Sequence, residues 1–242
     1  MAKHVLLNNV EHADLRVVTT RSADLGDDLM YAITFPWEFR NLQAHYPILF
    51  RKRPDTGEFQ PIALFGFEER ENLFLSGSGW DAAYVPLTIE RQPFLIGMQA
   101  AGVDAATGPQ AVIHVDLDSP RISRTSGEAV FLDHGGVSAY LERITSVLHT
   151  IHRGLEATPA FIESLLECDL LESFVLDVQL QDGSEHRLAG FYTLNEERLR
   201  ELDGAALGRL NSRGYLQPIY MVIASLSHFR DLIDRRNRRL GG

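Results

Sequence analysis

The chain has 242 residues, of which 45% are hydrophobic and 23% charged, a composition typical of folded globular domains and unlike disordered or membrane-spanning chains. Acidic residues outnumber basic ones by 33 to 23, and the resulting negative field disfavours nucleic acid as a partner. The single cysteine, Cys168, excludes an internal disulfide and fits a cytoplasmic protein.

No segment of the sequence has the pattern of an export signal or a membrane span. The apolar run within the first ten residues is too short and too interrupted for a secretory signal. The most apolar later stretch, residues 216–226, has about half the length of a membrane span. We therefore expect a soluble cytoplasmic protein without membrane insertion.

The first half of the chain predicts an antiparallel or mixed sheet with short helices. Short runs rich in Val, Ile, Phe and Tyr alternate with Gly and Pro, and they predict strands at 15–19, 31–35, 48–51, 62–67, 73–75, 94–98 and 111–116. Pro36 predicts a short helix that ends near His45, and Pro86 predicts a single turn before Pro93. The turn-rich segment Ala101–Gln110 is predicted to be a connection.

The second half predicts helices around one hairpin. Apolar residues at spacings of three and four predict a helix between Gly135 and Gly154, and Thr158-Pro159 predicts the start of a second helix that packs against it. Asp182-Gly183 predicts a tight turn between strands 174–180 and 187–194. Asn195 predicts a helix cap, and Gly214 a break between the helices that follow.

The predicted fold class is therefore α+β: a sheet-rich N-terminal part, a helical pair, a β-hairpin and C-terminal helices. We expect one domain over 1–242, with 1–132 and 133–242 as possible subdomains. The basic run 235–239 is predicted to lie at the negative end of the last helix.

One local pattern suggests a metal site. His114 and Asp116 are two residues apart on a predicted strand, so both side chains face one side and could bind Fe(II). His186, on the predicted hairpin, is the candidate for a third ligand. The alternative is an ordinary, partly buried strand histidine, and our preferred reading assigns no metal or other cofactor.

Two segments have the composition of a binding surface. The first combines aromatic residues with an arginine, which is the composition enriched in binding hot spots; it contains Trp80, Tyr84, Arg91 and Phe94. The second juxtaposes Asp116 and Asp118 with Arg121 at the end of a strand. Core packing and a local Asx or Ser-Pro turn are the structural alternatives for the two segments.

Several segments together resemble the bacterial SapC family, and they follow in order along nearly the whole chain. They are His45-Tyr46-Pro47-Ile48, Glu71-Asn72-Leu73-Phe74, Trp80 with Tyr84-Val85-Pro86, Pro93-Phe94, Asp116 with Asp118-Ser119-Pro120-Arg121, Asp169-Leu170-Leu171-Glu172, Leu188 with Gly190 and Tyr192, and Arg213-Gly214-Tyr215-Leu216. The resemblance implies a single-domain protein of about this length.

The resemblance implies no catalytic residue set. The family name refers to bacterial surface layers. The resemblance implies that outer-membrane receptors, halogenase-like flavoproteins and cupin-type oxygenases are encoded nearby, and the last two are candidate partners. Our hypothesis is a non-catalytic binding or accessory protein for a peptide, protein or small molecule, with a role in cell-envelope uptake or surface biogenesis. A homo-oligomer is compatible with this hypothesis. The alternatives are an Fe(II)-dependent or other small-molecule-modifying enzyme and a structural surface-layer component.

Overall fold

The structure is a computed structural model that describes residues 3–77, 79–99 and 110–241. The predicted connection Ala101–Gln110 therefore lies outside the described residues except for its last one. The strands, in chain order, are β1 (His4–Leu6), β2 (Arg16–Val17), β3 (Tyr31–Ile33), β4 (Ile48–Lys52), β5 (Phe59–Leu64), β6 (Leu75–Ser76), β7 (Gly79–Trp80), β8 (Phe94–Gln99), β9 (Gln110–Asp116), β10 (Ile122–Ser123), β11 (Glu128–Ala129), β12 (Leu171–Gln179) and β13 (Glu185–Leu194).

The helices confirm the predicted fold class. They are α1 (Phe39–Leu42), α2 (Leu87–Glu90), α3 (Ala139–Glu167), α4 (Glu196–Arg200), α5 (Gly204–Ser212), α6 (Leu216–Ser225) and α7 (Phe229–Gly241), with 3-10 turns at Ala23–Leu25 and Leu226–His228. The named strands pair antiparallel, and most helices follow the strands in the chain, so the protein is α+β with C-terminal helices. Over the described residues, no helix combines the length and the apolar character needed to cross a bilayer.

The chain divides into two compact units, each made of two segments. Unit 1 comprises Met1–Asp27 and Leu87–His152, and unit 2 comprises Asp28–Pro86 and Arg153–Gly242. These boundaries differ from the possible subdomains 1–132 and 133–242, because the N-terminal segment clusters with α2 and the residues that follow it. Whether the chain behaves as one folding domain stays a prediction.

Unit 1 contains two three-stranded sheets and the first part of α3. The strand orders are β1-β9-β8 and β10-β2-β11. The apolar stripe of α3 supplies Leu141, Ile144 and Leu148 to a core that also contains Phe94 and Val115. The helical period predicted from Gly135 onward therefore has its expected role of burying one helix face.

Unit 2 is built on a five-stranded sheet in the order β12-β13-β4-β5-β3. The predicted hairpin forms its first two strands, and the Asp182 carboxylate accepts a 2.9 Å hydrogen bond from the Ser184 amide in the connecting turn. Asn195 caps α4 by accepting from the Arg198 amide at 2.7 Å. Gly214 adopts a φ of 76° between α5 and α6, so the predicted break is also confirmed.

The predicted helical pair is wrong, because α3 is one continuous helix with Pro159 inside it. The Thr158 hydroxyl donates to the Gly154 carbonyl at 2.8 Å, as within a helix, and does not cap a new one. Phe161 and Leu165 continue the buried stripe beyond the proline. Burial of this stripe offsets the one backbone hydrogen bond that proline cannot make.

The basic run of α7 contacts specific groups of the segment that contains β6 and β7. Arg235 pairs with Asp81 at 2.6 Å, and Arg236 pairs with the buried carboxylate of Glu71. Arg239 donates to the backbone carbonyls of Asn72 and Leu75, each at 2.9 Å. The arginines therefore bind α7 to this segment through ion pairs and hydrogen bonds. Their positive charges also interact favourably with the negative end of the helix dipole.

Candidate functional site

A cavity of about 450 Å³ in unit 1 brings charged residues from both chain segments of the unit together. We call it the arginine cleft. The lining residues with a chemical role are Arg21, Glu90, Arg121, Glu128, Tyr140 and Arg143. They come from the chain after β2, from α2, from the turn before β10, from β11 and from the first turns of α3.

The floor of the cleft contains two guanidinium groups that share one buried carboxylate. Arg121 is 1% exposed and pairs with Asp27, which is 0% exposed, at 2.5 Å. Arg21 pairs with the other oxygen of the same carboxylate at 3.3 Å. Two cations therefore face one anion, and this trio carries an excess positive charge.

The Arg121 side chain is held in place by the chain that follows β2. Its Nη1 donates to the carbonyls of Val18 at 3.1 Å and Thr20 at 2.9 Å. Its Nε is buried and has no hydrogen-bond partner among the described residues. A buried, unsatisfied guanidinium nitrogen is costly, and such costs concentrate where a structure serves a purpose other than stability.

Arg21 offers donors that the protein itself leaves open. Its Nη1 binds Asp27 and donates to the Ile89 carbonyl at 3.2 Å, whereas its Nε and Nη2 bind no residue that the structure describes. Burial lowers the pKa of Arg21, and the Arg121 cation lowers it further against the attraction of Asp27 and Glu90. Both effects mean that an additional anion near Arg21 would be stabilising.

Tyr140 and Arg143 complete the wall that α3 contributes. The Tyr140 hydroxyl makes no hydrogen bond within the described ranges, and burial raises its pKa to about 12, so it is a neutral donor at physiological pH. Arg143 is 72% exposed and pairs with Glu90 at 2.6 Å. Glu128 is also exposed. The outer part of the cleft therefore carries both positive and negative side chains, whereas Arg21 and Tyr140 supply hydrogen-bond donors further inside.

The segment Asp116–Arg121 forms the turn that the sequence suggested, and only Arg121 reaches the cleft. One Asp116 oxygen accepts from the amides of Asp118 and Lys3, each at 3.1 Å, as in an Asx turn. Asp118 is exposed and is not among the residues lining the cleft.

The aromatic segment is divided between the two units. Trp80 and Tyr84 belong to unit 2, where Trp80 donates to the Tyr46 hydroxyl at 2.7 Å and Tyr84 donates to the buried Glu38 carboxylate at 3.0 Å. These contacts belong to a polar network around the buried residues Tyr46 and Glu38, and a binding role for Trp80 and Tyr84 stays a prediction.

Arg91 and Phe94 belong to unit 1 but do not line the arginine cleft. Phe94 is fully buried in the core of unit 1, so its side chain offers no accessible surface in this structure. Arg91 donates to the Phe94 carbonyl at 2.5 Å, and burial lowers its pKa. It forms no ion pair with any described residue, and its segment contributes Glu90 and Gln92 to the cleft.

The three candidate iron ligands are divided between the two units. His114 and Asp116 are on β9 in unit 1, where a side chain at Gly97 would overlap the His114 ring, so the imidazole lies over this glycine. His186 is on β13 in unit 2 and pairs with Glu68 at 3.0 Å. Across 3–77, 79–99 and 110–241, no three His, Cys, Asp or Glu side chains are grouped as metal ligands.

Comparison with protein-family models identifies the family of this chain. The SapC model matches residues 7–232. The chain belongs to the SapC family. No curated protein and no solved structure matches it.

The sequence analysis missed most of the arginine cleft of this SapC-family protein. Arg21 and Asp27 lie in a polar stretch without a motif, and Tyr140 was assigned to the apolar stripe of a helix. One signal was present: Arg143 follows Tyr140 by three residues, so the two side chains share a helix face. A tyrosine and an arginine beside an apolar stripe can indicate the border between a core and a site.

Proposed function

We propose that this SapC-family protein is a non-catalytic binding protein that holds the anionic group of a small molecule or peptide in the arginine cleft. The observation that carries the proposal is the pair of guanidiniums on one buried carboxylate, with Arg21 Nε and Nη2 open. Charge-assisted hydrogen bonds from arginine to carboxylate or phosphate are among the strongest polar contacts in proteins.

The described residues of the cleft supply groups that bind an anion. Asp27 is buried between two cations, Glu90 is paired with Arg143, and Glu128 is exposed to solvent. None of these carboxylates is therefore held in the position of a general base. Tyr140 holds its proton up to about pH 12. We therefore assign these residues to recognition. We also propose a cytoplasmic location, which the single cysteine supports.

Calorimetric titration with simple anions tests the proposal. Succinate and inorganic phosphate should bind, and the neutral analogue succinamide should not. Arg21→Gln should weaken the binding about 10- to 100-fold, because it removes a charge-assisted contact of about 1.5–3 kcal/mol. Tyr140→Phe should weaken it about five-fold, because it removes only a neutral hydroxyl.

Arg124→Gln is the matched control. Arg124 belongs to unit 1, pairs with Asp14 and is 58% exposed, but it does not line the cleft. The proposal fails if Arg21→Gln and Arg124→Gln bind succinate equally well, or if succinamide binds as tightly as succinate.

The enzyme hypothesis keeps a direct test of its own. If His114 and Asp116 bound Fe(II), protein purified without an affinity tag would contain stoichiometric iron, and His114→Ala would lose it. The surface-layer hypothesis predicts instead that protease treatment of intact cells degrades the protein. Protein that contains no iron and resists the protease would contradict both the iron-enzyme hypothesis and the surface-layer hypothesis.

A further inference from the structure

A second cavity, in unit 2, lies between the C-terminal part of α3 and the connection from β4 to β5. We call it the helix groove. Its volume is about 880 Å³, and its walls include Leu155, Pro159, Ile162 and Leu166 on one side and Phe59 and Pro61 on the other. It is independent of the arginine cleft, since all its lining residues belong to unit 2.

The helix wall of the groove is apolar and accessible. Leu155 is 38% exposed and Leu166 is 52% exposed, which is unusual for large apolar side chains on one face of one helix. Together with Pro159 and Ile162 they have spacings of four, three and four residues. This is the spacing of the stripe through which one helix packs against another in a coiled coil.

Acidic side chains flank this stripe in the positions that select a partner. Glu156 and Glu163 each follow a stripe leucine or isoleucine by one residue, as the charged flanking positions of a heptad do. Both line the groove and are exposed. Glu163 forms no ion pair with any residue of the described ranges, so its charge is available to a partner.

The groove has one additional backbone acceptor, and its four lining glutamates outnumber its two lining cations. Pro159 has no N–H, so the carbonyl of Leu155 lacks the donor that an ordinary helix would supply four residues on. On the opposite wall, the Arg53 guanidinium is already bound to Asp55 at 2.7 Å, and the Lys52 ammonium lies 5.0 Å from the centre of the Phe59 ring. The groove therefore favours an occupant that brings both apolar side chains and donors.

From this geometry we infer that the helix groove binds a basic amphipathic helix of a protein partner. Leucine-like residues of that helix pack against Leu155, Ile162 and Leu166, and its lysines or arginines face Glu156 and Glu163. The stripe from Leu155 to Leu166 is about three helical turns long. An interface of this length predicts a modest affinity, which suits a reversible partner.

The probe is a fluorescein-labelled peptide of three heptads with leucine at the two core positions and lysine at the flanking positions. Its counterpart carries glutamate at the flanking positions. Fluorescence anisotropy with the full-length protein should show binding of the lysine peptide, and of the glutamate peptide only at concentrations at least about ten-fold higher.

Substitutions locate the binding in the groove. Leu166→Ala and Glu163→Lys should each weaken the lysine peptide about ten-fold, and Glu163→Lys should strengthen the glutamate peptide. Glu197→Lys is the control, because it makes the same change of charge at an exposed site of unit 2 on α4. All three side chains are exposed, and circular dichroism verifies that each variant is folded.

Three results would overturn the inference. Equal weakening by Glu197→Lys and Glu163→Lys would mean that the peptide responds only to the net charge of the protein. Unchanged binding in Leu166→Ala would mean that the apolar stripe is not the contact. Self-association of the protein in sedimentation experiments, abolished by Leu166→Ala, would assign the groove to a second copy of this chain.

Discussion

At the scale of single residues, Asp27 of unit 1 is a carboxylate on which two arginines depend for charge neutralisation. It is fully buried, and it is the shared counter-ion of Arg21 and Arg121. A buried ion pair contributes little net stability when intact, but its loss is costly because a charge is left without a partner in a medium of low dielectric constant. Here two charges depend on one carboxylate.

We expect Asp27→Asn to lower the free energy of unfolding by about 3–5 kcal/mol. The amide is nearly isosteric, so the effect measures charge and not volume. Urea denaturation followed by circular dichroism gives the value. Asp55→Asn is the control, since the Arg53–Asp55 pair is solvent-exposed and such pairs contribute about 0–1 kcal/mol. Equal effects of the two substitutions would contradict a special role for Asp27.

Tyr140 makes the free energy of unfolding decrease as the pH rises in the alkaline range. Burial raises its pKa from 10.0 to about 12, against the opposing influence of Arg21 and Arg121. Below pH 10 the phenol is protonated in both the folded and the unfolded chain. Between about pH 10 and 12 only the unfolded chain loses this proton, so the free energy of unfolding falls as the pH rises across this window.

The phenolate absorbance of the folded protein provides the measurement. Of the seven tyrosines, Tyr140 should be among those that ionise late, and Tyr140→Phe should remove one late-ionising group. The same variant should lose less stability between pH 10 and 12 than the wild type. A titration curve whose late part is unchanged by the substitution would show that Tyr140 is not buried in this way.

At the scale of elements, α3 depends on two residues that helices normally avoid. Pro159 lies in its interior, and Gly154 lies against Phe35 so closely that a β-carbon would overlap the aromatic ring. Glycine is thus required here for contact and not for backbone freedom. The close approach lets the helix pack on this part of unit 2 despite the weak helical preference of both residues.

Two glycine substitutions should therefore have opposite signs. Gly154→Ala should destabilise the protein by about 1–3 kcal/mol through overpacking against Phe35. Gly208→Ala, within α5, should stabilise it by about 1 kcal/mol, because a β-carbon there meets no atom within 4 Å. Urea midpoints of the two variants give the comparison. If both changes stabilised the protein, the contact with Phe35 would be looser than described.

The elements that sequence analysis predicted well are those whose signals are local. The turn Asp182-Gly183 and the cap Asn195 act within four residues, and both formed as expected. Thr158-Pro159 was misread because the same dipeptide that starts a helix is tolerated inside one when burial on both sides compensates. That compensation comes from residues distant in sequence, such as Phe35, which no local window contains.

The candidate site was less predictable than the fold for the same reason. Arg121 was a candidate because Asp116 and Asp118 lie near it in the sequence. Its counter-ion in the structure is Asp27, which is 94 residues away in the chain. Phe94 was chosen as a binding aromatic, yet it is fully buried, because composition alone does not separate a core aromatic from an accessible one.

At the scale of the whole molecule, the sequence predicts one domain, and the two tryptophans provide a test. Trp37 and Trp80 both belong to unit 2, so their fluorescence reports on that unit, whereas far-UV circular dichroism reports on helices and strands of both. A single cooperative domain should give coincident urea transitions for the two signals. Separate midpoints would mean that the units unfold independently.

The shared carboxylate of unit 1 also bears on how the chain is made. Asp27 ends the first segment of its unit, and Arg121 lies in the second, so the whole first segment of unit 2 is synthesised between them. On a ribosome, Asp27 and its first partner Arg21 are synthesised before Arg121 and before the strands that pair with β1 and β2. During that interval the Asp27 carboxylate is hydrated. We expect closure of this long loop to be slow compared with the formation of local turns, because the paired residues are distant in the chain.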